Sequence, residues 1–279
     1  MAGRSQFVRL LRRPNGMIGC GLLAIIVVTA VIGSWVTPYD PLVLSFEHRL
    51  VSPSASHWLG TDQFGRDTFS RLVTAAGTSL TVSLLTALLA LTLGTVIGAL
   101  SGYLGGWVDR IAMTVIDAFM AFPGILLALG IMAVVGPQRY GVVVALGLAY
   151  APNVCRIVRG VVLSVREKEY VEASRALGNS ELYTVFSHVV PGCTSALTVI
   201  GTAIFGGALL SESALSFLGL GVPPPAPTWG GLLADATLYM DAAPWLSIFP
   251  GIAISVTLLG INLFGDALRD RFDPRMNQL

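Results

Sequence analysis

Long stretches without a single charged side chain limit this chain more than any motif in it. They run over 14–39, 72–108, 118–138, 140–155, 182–211, 213–234 and 242–265. In lipid a helix pairs its backbone N–H and C=O groups internally, and about 20 mostly apolar residues cross the hydrocarbon. Trimmed to that length, the stretches predict six crossings near 17–36, 79–102, 111–135, 141–163, 195–215 and 245–265. Composition agrees, with 54% of residues hydrophobic and 12% charged, against about 25% charged in a soluble domain. The expected fold class is an all-α membrane protein with six transmembrane helices. One stretch departs from the pattern. After Glu212, the run SFLGLGVPPPAPTWGG holds prolines and glycines that could not satisfy their backbone groups in lipid. It reads as an outer-surface loop with a short re-entrant turn.

Orientation follows from the basic residues, because cytoplasmic loops carry the excess of Lys and Arg. Arg4, Arg9, Arg12, Arg13, Arg110, Arg156, Arg159, Arg166, Lys168, Arg175, Arg269, Arg271 and Arg275 fall on the side of the N-terminus, 13 of the 17 basic residues. Arg49, Arg66, Arg71 and Arg139 fall opposite. Both termini are therefore expected in the cytoplasm, as is the connection between the fourth and fifth crossings. The positive groups serve topology. With a net charge of +1, the expected surroundings are membrane lipid and no nucleic acid. The first crossing has the basic head and apolar stretch of a secretory signal, but the stretch is long and lacks a small-x-small cleavage site. It is read as a retained anchor, with Cys20 as a core residue.

Reactive constellations are missing from the sequence. Cys20, Cys155 and Cys193 lack CxxC or CxxH spacing, His48, His57 and His188 are scattered, and no HExxH occurs. Neither a disulfide framework nor a metal site is expected. There is no GxSxG elbow, and Lys168 is the only lysine, so no GxxxxGK[ST] phosphate loop exists. No catalytic, cofactor-binding or metal-binding residue is assigned, and the chain is read as a non-enzyme. If it uses ATP, the nucleotide site belongs to another chain.

Residues 164–191, SVREKEYVEASRALGNSELYTVFSHVVP, are densely charged between apolar runs. Lys168, Glu172 and Arg175 line one helical face, and Tyr170, Ala173 and Leu177 line another, at spacings of three and four. Gly178 ends that helix. Asn179 or Ser180 caps a second one, with Leu182, Val185, Phe186 and Val189 as an apolar stripe that Pro191 stops. A short helix, a glycine-pinned bend and another short helix result.

The segment Glu172-Ala173-Ser174, with Gly178 and Pro191, resembles the EAA loop of the transmembrane subunits of bacterial ABC importers, with Ser174 in place of the usual second alanine. Serine is small enough to keep the helix packed closely. HWLGTDQFGRDTFSRLVTAAGTSL, GGWVDRIAMTVIDAFMAFPGILLAL, SESALSFLGLGVPPPAPTWGGLL and NLFGDALRDRFDPR are similar to the second permease subunit of the dipeptide, oligopeptide and nickel importers. The resemblance implies a type I ABC importer permease fold and a place in the bacterial cytoplasmic (inner) membrane. It implies a homologous permease as heterodimer partner, two ABC ATPase subunits holding ATP and Mg, and an extracytoplasmic solute-binding protein. It also implies ATPase coupling through Glu172, Ala173, Ser174, Ala176, Leu177, Gly178 and Pro191. Gly178 is the expected pivot, Glu172 the carboxylate for the loop or for a basic ATPase group, and Ala173, Ala176 and Leu177 the buried contact. The divisions are a cytoplasmic segment at 1–16, the first crossing at 17–36, an outer cap at 37–78, a core permease domain at 79–266 including the 164–191 loop, and a cytoplasmic tail at 267–279.

Other features are open to more than one reading. Gly94, Gly98, Gly102 and Gly106 form a small-residue row that suits packing within the subunit as well as a dimer seam. Asp109 and Arg110 mark a helix boundary, and Asp117 is expected to pair with Arg110 or a basic group of the partner. Glu212 is a candidate outer gate or, equally, a structural hydrogen-bonding group near water. In the outer cap, Gly60-Thr61-Asp62 and Gly65-Arg66-Asp67 suggest helix starts capped by aspartate, on a surface for the binding protein or partner permease. The favoured cargo is di- or oligopeptide, with nickel or a metal chelate as alternative. A stand-alone secondary transporter is the rival class, although neither an inverted repeat nor a mid-membrane charge relay is seen.

Overall fold

The computed structural model describes residues 14–33 and 35–272. The predictions for Arg4, Arg9, Arg12, Arg13 and Arg275 lie outside the described residues. Among the described residues, ten α-helices follow in order: α1 (Pro14–Gly33), α2 (Thr68–Leu104), α3 (Gly106–Met120), α4 (Gly124–Val135), α5 (Arg139–Val165), α6 (Glu169–Ala176), α7 (Glu181–Thr184), α8 (Thr194–Phe217), α9 (Trp229–Ala236) and α10 (Trp245–Phe272). Five of the resulting helical spans are long and apolar enough to cross a membrane, and the bent pair α3 and α4 makes a sixth if counted as one.

The third expected crossing, 111–135, is not a straight helix. α3 and α4 meet at 89° across Ala121, Phe122 and Pro123. Proline brings no N–H to the helical ladder and drives the residue before it out of the α region, so an uncharged run that reads as one rod becomes an elbow.

α2 is longer than its predicted crossing and begins at Thr68 rather than 79. Its 37 residues span about 55 Å at 1.5 Å per residue, well beyond the roughly 30 Å of hydrocarbon. Asp67 sets the start: its Oδ2 accepts from the Ser70 backbone N–H at 2.8 Å and the Ser70 hydroxyl at 2.7 Å. Asp62 caps no helix, contrary to expectation. It organises a turn, accepting at Oδ1 from the backbone N–H of Phe64 and Arg66 at 2.8 and 3.0 Å and at Oδ2 from Arg66 Nε at 2.7 Å. Arg71 then bridges Asp62 at 3.5 Å to Asp235 on α9 at 3.4 Å. These charges fold the outer cap onto the first turns of α2 and onto α9.

The glycine row is a seam within the subunit. A Cβ on Gly94 would lie 2.4 Å from Val154 Cβ, one on Gly98 2.5 Å from the Cys155 carbonyl oxygen, and one on Gly102 3.1 Å from the Arg159 carbonyl oxygen. With hydrogen at these positions the backbones of α2 and α5 touch, as small-xxx-small rows allow. Gly106 has open space and takes no part. A two-pronged ion pair at 2.5 and 2.7 Å joins Asp109 of α3 to Arg159 of α5. Asp117 pairs with Arg156 at 2.7 Å, not with Arg110, because residue 156 of α5 passes beside α3 whereas Arg110 lies over the ring of Trp107.

The run after Glu212 turns back into the bundle as α9. Thr228 caps it, accepting from the Gly231 N–H at 3.0 Å, and Trp229 Nε1 donates to the Leu72 carbonyl at 3.1 Å. α9 packs between α8 and α10, which gives the proline-rich run a short helix with satisfied ends.

Candidate coupling site

α5 ends at Val165, and three residues later the chain enters α6. Glu169 and Glu172 lie in its first turn and Arg175 in its last, a placement that opposes the helix dipole at both ends. Gly178 stops the helix at φ +79°. Its N–H donates to the Arg175 carbonyl at 2.9 Å and the Asn179 N–H to the Ser174 carbonyl at 3.3 Å, the paired bonds of a Schellman end. Ser180 then caps α7, its Oγ accepting from the Tyr183 N–H at 3.3 Å.

Pro191 does not stop the second helix, contrary to expectation. After α7 the chain makes a π-helical turn over Val185–Val189, a 3-10 turn over Val190–Cys193 and then α8. Proline lies at the start of the 3-10 turn, where its missing N–H costs least, so helix continues from Glu181 to Phe217. The predicted stripe divides into two faces. Val185 and Val189 are buried, whereas Leu182 and Phe186 are exposed.

This division makes the site. On the inner face Val171, Val185 and Val189 join one core with Val162 and Val165 of α5, Tyr103 of α2 and Cys193. On the outer face lie Glu172, Ala173, Ala176, Leu182 and Leu177, the last 81% exposed. Ser174 is 3% exposed and faces inward. Its Oγ lies 3.0 Å from Thr184 Oγ1 and accepts from Asn179 Nδ2 at 3.1 Å. The serine in place of alanine thus binds α6 to α7. Ser174→Ala should leave Thr184 and Asn179 short of a partner and destabilise the loop by about 1–2 kcal/mol, read as a small drop in the melting temperature of the purified complex. An unchanged melting temperature would show that these bonds contribute nothing.

Glu212 sits at the far end of α8, fully buried. Its Oε1 accepts from Ser216 Oγ at 2.7 Å, and Ser213 and Ser79 of α2 lie beside it. The Trp229 N–H donates to Ser79 Oγ at 3.2 Å. In this conformation the carboxyl is enclosed among α2, α8 and the start of α9.

Residues 94–278 match the family described as the binding-protein-dependent transport system inner membrane component. The chain belongs to this family. Residues 3–53 match the N-terminal TM domain of oligopeptide transport permease C. A Brucella suis biovar 1 (strain 1330) protein named for a peptide transport system permease is 44% identical over 96% of this chain and 90% of its own. The glutathione transport system permease protein GsiD of Salmonella paratyphi A is 41% identical over 97% and 90%. In fold, the chain is similar to the MetNI methionine ABC transporter in an inward-facing conformation, with TM-score 0.58 and 18% identity over 72% of this chain and 96% of that one. This permease therefore has the type I importer fold, is a multi-pass inner-membrane protein, and is a transport subunit working with ATPase and binding-protein partners.

The structure brings Glu172, Ala173, Ser174, Ala176, Leu177 and Gly178 of the permease together on one short helix and its end. Pro191 is set apart at the entry to α8. Sequence reasoning missed the groups that tie this helix inward. Arg175 Nε donates to Tyr103 Oη at 2.8 Å, 72 residues away, and Thr184 holds Ser174. A tyrosine in the last turn of an apolar crossing was the only signal for the first.

Proposed function

We propose that this chain is one half of a heterodimeric permease that imports di- or oligopeptides, driven by two ABC ATPase subunits and supplied by an extracytoplasmic binding protein. The observation that carries the reading is the two-faced 164–191 loop. Its inner valines are packed among the transmembrane helices, while Ala173, Ala176, Leu177, Leu182 and Phe186 present an apolar outer face. An apolar face of this kind suits a cleft on an ATPase, with Glu172 at its edge for a basic group. Both termini and this loop then face the cytoplasm, and ATP and Mg are bound by the partner ATPases. ATP-bound closure of those subunits favours the outward-open state, and hydrolysis returns the pathway to inward-facing. Glutathione is a small peptide, so the names of both relatives favour peptide over a nickel chelate as cargo.

The test is reconstitution of the complete transporter in vesicles with its binding protein. Peptide-loaded binding protein should stimulate both ATP hydrolysis and uptake, and Leu177→Cys should crosslink to an ATPase subunit. Stimulation by a nickel chelate alone would overturn the cargo assignment. Uptake that persists after the ATPases are removed would overturn the coupling.

A further inference from the structure

The loop reaches α5 and α8 through the chain itself, since it continues from one and into the other. α2 has no such continuity with it. The loop meets α2 through side chains at its final turn, and those contacts are of two kinds. Val171, Val185 and Val189 pack beside Tyr103, and such apolar contacts are non-directional. The remaining contacts are directional. Arg175 of α6 donates from Nε to Tyr103 Oη at 2.8 Å, and its guanidinium lies 4.6 Å from the centre of the same ring. Arg166, just beyond α5, adds a bond from Nη1 to the Gly102 carbonyl at 2.9 Å.

Tyr103 is 4% exposed and stands one residue before the end of α2. At the opposite end of that helix, about 55 Å away at 1.5 Å per residue, are Asp67 and Arg71, which anchor the outer cap. One unbroken helix therefore connects the loop to the cap. Its loop end is held by Arg175 of α6 and by Arg166, so a shift of the loop moves that end along with it.

We propose that Tyr103 is a positioning residue that couples α2 to the 164–191 loop, with Arg175 holding its hydroxyl and ring, so that docking at the outer cap and the state of the ATPases are communicated along α2. The assignment rests on the loop being the ATPase contact.

Tyr103→Phe keeps the ring and removes the hydroxyl; Arg175→Lys keeps the charge and replaces the planar guanidinium with a single ammonium. In the complete reconstituted transporter, both variants should retain complex assembly and the ATPase crosslink from Leu177→Cys. Each should reduce stimulation of hydrolysis by loaded binding protein about fivefold or more, the usual size of coupling between sites. Unstimulated hydrolysis should change less than twofold. The double variant should be no worse than the stronger single one, because both changes remove one joint. A merely structural role would lower the melting temperature and both rates together. Full stimulation in both single variants, or losses that multiply in the double variant, would overturn the proposal while leaving the coupling-loop reading intact. Absence of the Leu177→Cys crosslink in the otherwise unsubstituted complex would overturn both.

Discussion

Gly98→Ile should leave almost no folded permease. The glycine lies where α2 and α5 meet backbone to backbone, and a Cβ there would sit 2.5 Å from the Cys155 carbonyl oxygen and 3.2 Å from the Arg159 backbone nitrogen. A clashing side chain could rotate away, but a carbonyl in a helix cannot, so the helices must separate along their length. Separation also opens the packing of Ala99, Val154, Val158 and Val162. Overpacking in a core costs about 1–3 kcal/mol and occasionally more; with backbone as the obstacle, about 3 kcal/mol or more is expected. The measurement is the amount and melting temperature of the purified complex. Gly160→Ala is the control, since Gly160 lies on α5, the other helix of the seam, with nothing within 4 Å of its added Cβ. A wild-type melting temperature in Gly98→Ile would contradict the seam.

Gly178→Trp should have the opposite character, with an assembled membrane complex that hydrolyses ATP but barely takes up peptide. Nothing lies within 4 Å of a Cβ at this position, so a side chain leaves the backbone there into open space. The backbone cost of a side chain at φ +79° is about 1–2 kcal/mol, too little to unfold the subunit. The ring would instead stand on the face assigned to the ATPase cleft, between Leu177 and the start of α7. Uptake should fall by roughly tenfold or more, a coupling loss within the usual range. Gly178→Ala separates the contributions, because it carries the backbone strain without the bulk and should retain most uptake. Normal uptake by Gly178→Trp would remove this face from the contact.

Much of this architecture was visible before any coordinates, for physical reasons that differ from place to place. Uncharged runs of sufficient length locate α1, α5 and α8 and the start of α10 within a few residues, because lipid admits few alternatives to a helix; α10 itself runs on through charged residues to Phe272. The same logic failed at Pro123, where composition cannot distinguish a crossing from an elbow of equal length. It also shortened α2, whose first turn carries Thr68, Ser70 and Arg71 and whose start is set by one carboxylate, Asp67. The bend at Gly178 was legible because a glycine followed by Asn179 and Ser180 can both end one helix and begin the next. The passage through Pro191 was not, since a π turn followed by a 3-10 turn leaves no compositional trace. The Arg175–Tyr103 bond was out of reach, as nothing in a single sequence pairs two residues 72 positions apart.

The charged knot beneath the outer cap has an experimental consequence. Arg66, Arg71 and Asp62 are largely shielded from solvent, with side-chain exposures of 15%, 6% and 7%, and with Asp235 the four formal charges cancel. Mobile ions screen enclosed pairs much less than exposed ones. Raising ionic strength should therefore leave the cap standing, and any salt dependence of uptake has its source somewhere other than the unfolding of this knot.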